Sequence, residues 1–68
     1  MKAYQERVVA ERNELYERGD RLSAFINSTS TTYRELPLME KERLRLQFYL
    51  MEKLIEVLDD RIAYFKEI

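Results

Sequence analysis

The sequence predicts an all-α fold: an antiparallel two-helix hairpin with a short helical turn between the helices, assembled as a homo-oligomer. Three observations carry this. Two long stretches rich in Glu, Arg, Leu and Ala flank a connector, NSTSTTYRELP, that holds the chain's single proline. Apolar residues recur at helical spacing in both stretches. The second stretch carries more apolar surface than one partner helix can cover.

The first helix is predicted over about residues 4–27. Tyr4, Val8, Leu15, Leu22 and Ile26 fall on one line at spacings of 4 and 7, with Gly19 on the same line and Arg12 at its edge. Gly19 is the only glycine, and inside a helix it costs about 1 kcal/mol relative to alanine. Its place on the seam predicts close approach of another helix, or room for a ligand. The connector spans 28–36. Five consecutive Ser and Thr residues after Asn27 supply caps and turns. Thr32 with Glu35 fits a capping box that opens a short helical turn. Pro37 fits the first turn of the second helix, where its missing N–H is no loss.

The second helix is predicted over about 37–67. Leu44, Phe48, Met51, Ile55, Leu58, Ile62 and Phe65 alternate at spacings of 4 and 3, a seven-residue pattern suited to pairing with a neighbouring helix. The short connector makes the two helices antiparallel neighbours. A second stripe, Leu46, Leu50, Leu54, Val57 and Tyr64, widens the apolar arc to roughly 200°. A lone hairpin leaves that stripe in water, so Leu46, Leu50, Leu54, Val57 and Arg61 are the candidate oligomer interface. Residues 1–68 form one helical-hairpin domain.

Composition narrows the function. The formal net charge is −1, and charged residues make up 37% of the chain. That balance argues against binding a DNA or RNA polymer. With no histidine and no cysteine, the usual zinc, copper and nucleophilic sites are missing. No metal, cofactor or catalytic residue is assigned, and the expectation is a non-enzyme. The carboxylates interleave with Arg and Lys at helical spacing, as Glu14 with Arg18 and Glu17 with Arg21, and read as solvated pairs. No apolar run reaches the roughly 20 residues that cross a bilayer, and the opening MKAYQERVV lacks the apolar centre of a signal peptide. A cytoplasmic protein without membrane contact is expected.

Two constellations point to a ligand. Arg43 and Arg61 sit within the second apolar arc, where a cation needs a carboxylate across an interface or an anion. Tyr4 stands near Arg7, and Tyr33 stands beside Arg34. A tyrosine face stacks a nucleobase and an adjacent arginine takes a phosphate. The positive charge is local, which favours a small anionic aromatic ligand over a polymer.

The stretches QERVVAERNELYERGDRLSAFI, YREL and ERLRLQFYLMEKLIEVLDDRIAYF resemble a small phage-encoded helical-hairpin family, often labelled crAss-phage-related, over roughly residues 5–65. That family is in turn similar to the hairpin domain of anti-CBASS cyclic-nucleotide sponges. The shared element in the second helix is an Arg, then Leu-Gln, then Met, here Arg43, Leu46, Gln47 and Met51. The resemblance implies an all-helical homo-oligomer, typically a hexamer. It would sequester cyclic di- or trinucleotide immune signals in the cytoplasm of an infected bacterial cell without cleaving them. It makes Arg43 a phosphate contact between subunits, Gln47 its companion, and Tyr4 the base-stacking tyrosine. The sponges' lysine fifteen residues after that tyrosine falls here on Gly19, flanked by Arg18 and Arg21, which become candidate ligand contacts. A different function fits the same leucine stripe: a small coiled-coil adaptor that binds a host or phage protein.

Overall fold

The computed structural model describes residues 1–65 and is all-helical over them. Helix α1 spans Ala3–Ile26, α2 spans Thr31–Arg34 and α3 spans Leu38–Tyr64. The predicted end of the second helix at 66 and 67 lies outside the described residues. The rod measures 49 × 16 × 14 Å. Tyr4 meets Phe65, Arg12 meets Asp59 and Gly19 faces Met51, so the numbering rises along α1 as it falls along α3. The pair is therefore antiparallel, as predicted. Among the described residues no helix is long and apolar enough to cross a membrane.

The helix ends show which local chemistry sets the boundaries. At the start of α1 the Lys2 backbone N–H donates to Gln5 Oε1 at 2.9 Å, which ties down the first turn and buries Gln5. At its end Asn27 Nδ2 donates to the Ser23 carbonyl at 2.9 Å, and Ser28 Oγ donates to the Phe25 carbonyl at 2.8 Å. Each adds a second donor to a carbonyl that already accepts a backbone N–H, from Asn27 to Ser23 and from Ser28 to Phe25, and so fastens the last turn.

Two capping expectations are corrected by one position or more. Ser30, not Thr32, caps α2. Its backbone is extended (φ −65°, ψ 143°) and its Oγ accepts the Tyr33 N–H at 3.3 Å, whereas Thr32 is already helical. Glu35 ends that turn instead of closing a box. Pro37 precedes α3 rather than occupying its first turn. Its extended ψ of 149° aims its carbonyl at the N–H groups of Glu40 and Lys41, 3.0 and 3.1 Å away.

The core is thin. Among the described residues Val8, Tyr33 and Leu58 are the buried apolar side chains. The lines predicted from spacing otherwise lie half-covered along the α1–α3 seam: Leu15, Leu22 and Ile26 on one side, Leu44, Phe48, Met51, Ile55 and Ile62 on the other. Two edge-on aromatic pairs close the ends of the rod. Tyr4 packs on Phe65 with ring centres 5.9 Å apart, and Phe25 packs on Tyr33 at 5.4 Å.

Candidate functional site

Two surfaces open on the hairpin, and their electrostatics differ. The first is a cleft along the seam, with room for about 360 Å³. Gly19, Phe48, Met51 and Ile55 form its floor, while Asp20, Glu52 and Glu56 line its rim with Arg12. Three carboxylates against one guanidinium repel an anion. That guanidinium is also committed elsewhere. Arg12 Nε donates to Asp59 Oδ1 at 2.7 Å, and the group lies 5.1 Å from the centre of the Tyr16 ring. The Asp59 hydrogen bond is the main reason that Arg12 holds its proton above its ordinary value, with partial loss of water acting the other way.

The glycine in this cleft is less constrained than the sequence suggests. Gly19 is buried, and a Cβ added to it would lie 4.0 Å from Met51 Cε and 4.0 Å from Phe48 Cε1. That is ordinary contact, and its φ is not positive. Close packing of α1 on α3 therefore does not demand a glycine. What the missing methyl leaves is open space in the cleft.

The second surface is a shallow groove on the outer side of α3, lined by Arg43, Leu46, Gln47, Leu50, Met51 and Leu54. Arg43 is its single charged lining residue. Successive turns of one helix bring these side chains together, because positions three and four apart share a face. The Arg, Leu-Gln, Met spacing noted in the sequence is thus one continuous surface. Arg43 sits 3.5 Å from Glu40 in an exposed pair, a geometry worth little in water, so its guanidinium is available to a better partner.

The remaining candidates scatter along the rod. Tyr4 and Arg7 stand at the open end, and both are exposed. Tyr33 and Arg34 stand at the turn end. Tyr33 is 7% exposed, packed edge-on against Phe25 and 5.5 Å below Lys41 Nζ, so its face is closed to a nucleobase. Its hydroxyl is buried with no hydrogen-bond partner among the described residues. Arg34 is exposed, and its carbonyl accepts from Lys41 Nζ at 3.0 Å. Arg18 pairs with Glu14 one turn back on α1, and Arg21 is exposed on the same helix. Of the eight predicted ligand contacts, Arg43 and Gln47 line one groove, while Tyr4 with Arg7 and Arg18 with Arg21 share exposed stretches of α1 away from it.

The five interface candidates behave more uniformly. Leu46, Leu50, Leu54 and Val57 are 56, 55, 43 and 54% exposed, and Arg61 is exposed beside them. Two features escaped the sequence reading. Gln5 is a buried cap, signalled only by its place three residues after Lys2. The Arg12–Asp59 bridge joins the two helices, and the signal for it was opposite charges at facing positions of an antiparallel pair.

The structure defines a class: small helical hairpins with one leucine-rich face left uncovered beside Arg43 and Arg61. The chain belongs to the Sequestin family, whose model matches residues 2–64. No curated protein and no solved structure matches the chain.

Proposed function

We propose that this protein is a non-enzymatic phage counter-defence sponge that binds and sequesters a cyclic di- or trinucleotide as a homo-oligomer. The observation that carries the reading is the α3 groove, where Arg43 and Gln47 open onto an uncovered leucine face. One cation on a small apolar surface suits a compact anion with aromatic bases, and not a polymer. A sequestering role agrees with the family's name. Tyr4 supplies the open aromatic face and Arg43 the phosphate contact. Arg7, exposed near Tyr4, is a second cation for the same ligand.

The test is a thermal-shift panel of cyclic di- and trinucleotides, run alongside light scattering for mass. A ligand at 100 times its Kd adds about 2.7 kcal/mol. In a chain of this size that raises Tm by more than about 10 °C. Such a shift on a particle several times the 8.3 kDa chain is the expected result. Arg43→Ala should abolish the shift and leave the mass unchanged. The breadth of the leucine face favours a second reading, a coiled-coil adaptor for another protein. That reading predicts no nucleotide shift, with a monomer or dimer in the light-scattering measurement.

A further inference from the structure

The cleft along the α1–α3 seam has the opposite chemistry to the Arg43 groove. Its floor is apolar. Phe48, Met51 and Ile55 reach it from α3, and all three are only half-covered. Opposite Met51 and Phe48 the first helix presents Gly19, which sends no side chain into the space. The result is a trough of about 360 Å³, at the lower end of the range of small-molecule sites.

The rim is acidic from both sides. Asp20 stands on α1, while Glu52 and Glu56 stand on α3 one turn apart, about 6 Å. Asp20 and Glu52 make no ion pair among the described residues. Glu56 has Lys53 3.3 Å away, in an exposed pair worth little in water. Arg12, the one cation lining the cleft, is held by Asp59 at 2.7 Å. The cleft therefore keeps a negative charge that no side chain of its lining offsets.

A carboxylate accepts hydrogen bonds and donates none, so this rim selects a cation. A bare metal ion does not suit it. Among the described residues no group of three acidic side chains can hold one, and a point charge would leave the apolar floor in water. A cation whose charges are separated by methylenes matches rim and floor together. We propose that the cleft binds an aliphatic polyamine, with its methylenes on Phe48, Met51 and Ile55 and its ammonium groups at Asp20, Glu52 and Glu56. Each methylene buried on the floor is worth up to about fourfold in affinity. Each exposed ammonium–carboxylate contact is worth up to about fivefold. Neither contribution alone holds a small ligand, and a polyamine draws on both. Met51 borders the cleft and the Arg43 groove alike, yet the two sites take ligands of opposite charge and neither depends on the other.

The chain's three methionines give the readout. Met51 lines the cleft, whereas Met1 and Met39 are exposed and do not. With methyl-labelled methionine, a spermidine titration at constant ionic strength should shift the Met51 methyl signal to saturation and leave the other two in place. Mg²⁺ at the same ionic strength should not move it. Asp20→Asn combined with Glu52→Gln keeps the shape of the rim and removes two charges, so binding should weaken about tenfold. Gly19→Leu substitutes a good helix former whose side chain fills the trough, and should abolish the shift. No Met51 shift with spermidine, an equal shift with Mg²⁺, or wild-type binding by the Asp20→Asn, Glu52→Gln variant overturns the polyamine site. An equal shift with ethylguanidinium at the same concentration also overturns it, because the cleft would then take a single basic side chain of another protein. A cyclic-nucleotide response without any spermidine response would sink this site and leave the sponge reading standing.

Discussion

Leu54 and Leu58 stand one turn apart on α3, yet Leu58 is 2% exposed and Leu54 43%. The seam face of this helix and its outer face draw on the same residue types. The seam face meets α1, and its leucines, methionine and phenylalanine are wholly or half covered. The outer face meets water in the single chain. Residue chemistry therefore does not separate the face that packs on α1 from the face left open. What separates them is the partner: α1 is tethered by a short connector, whereas nothing in the single chain covers the outer face.

The strongest way to break this comparison is to truncate one leucine on each face. Leu58→Ala removes a buried side chain from a thin core and should cost about 3 kcal/mol at any concentration. Denaturant titration should show a lower Cm with an unchanged m value. Loss that varies with protein concentration would place Leu58 in the assembly instead. Leu50→Glu is the matching change on the outer face. It puts a charge on the leucine face through which we propose that copies associate, and should weaken association roughly a hundredfold or more, since each copy loses one leucine there. Light scattering would read this as a fall in mass. Circular dichroism at high dilution should match the wild type.

The division between the two faces explains what the sequence disclosed. The 4-and-3 spacing of Leu44 through Phe65 reported the seam, because a helix must present one side to a tethered neighbour. Leu46, Leu50, Leu54 and Val57 were legible as a second stripe for the same reason. The caps were less so. Ser30 and Thr32 are chemically equivalent as caps, and only the backbone angle at each decides which one holds the N–H of Tyr33. Tyr33 itself read as an open stacking face beside Arg34. Its burial depends on where the connector folds back over Phe25, and no spacing rule encodes that. Arg43 and Gln47 were legible as neighbours because one helix holds both. Their relation to Tyr4 was not, since Tyr4 stands at the other end of the rod, against Phe65.

Tyr33 also sharpens the comparison at the turn end of the seam. Its hydroxyl is buried without a partner, which an optimised interior avoids. Removing it should relieve a desolvation cost. Tyr33→Phe should therefore raise stability by about 1–2 kcal/mol, a gain visible in Tm. A drop in stability would show that the hydroxyl finds a partner in the assembled protein, and would bring the turn end into the interface.

Gly19→Ala makes the smallest change to the seam and asks the most specific question of it. The backbone there is ordinary helix, and the new methyl would meet Met51 and Phe48 at 4.0 Å. Helix propensity then acts alone and should add about 1 kcal/mol. In a chain of this size that is a rise of about 4–8 °C in Tm. If the gain appears in a dilute, unassembled sample and persists in the assembled one, nothing approaches Gly19 from outside, and the acidic cleft stays open in both states. If the gain appears only on dilution, a second copy reaches into the cleft on assembly and the glycine leaves it room. The acidic rim of Asp20, Glu52 and Glu56 then favours a basic side chain as the visitor. Comparing the substitution across concentrations thus separates a tolerated glycine from one kept for the neighbouring subunit, on the face of α3 where the tethered helix was taken to be the sole partner.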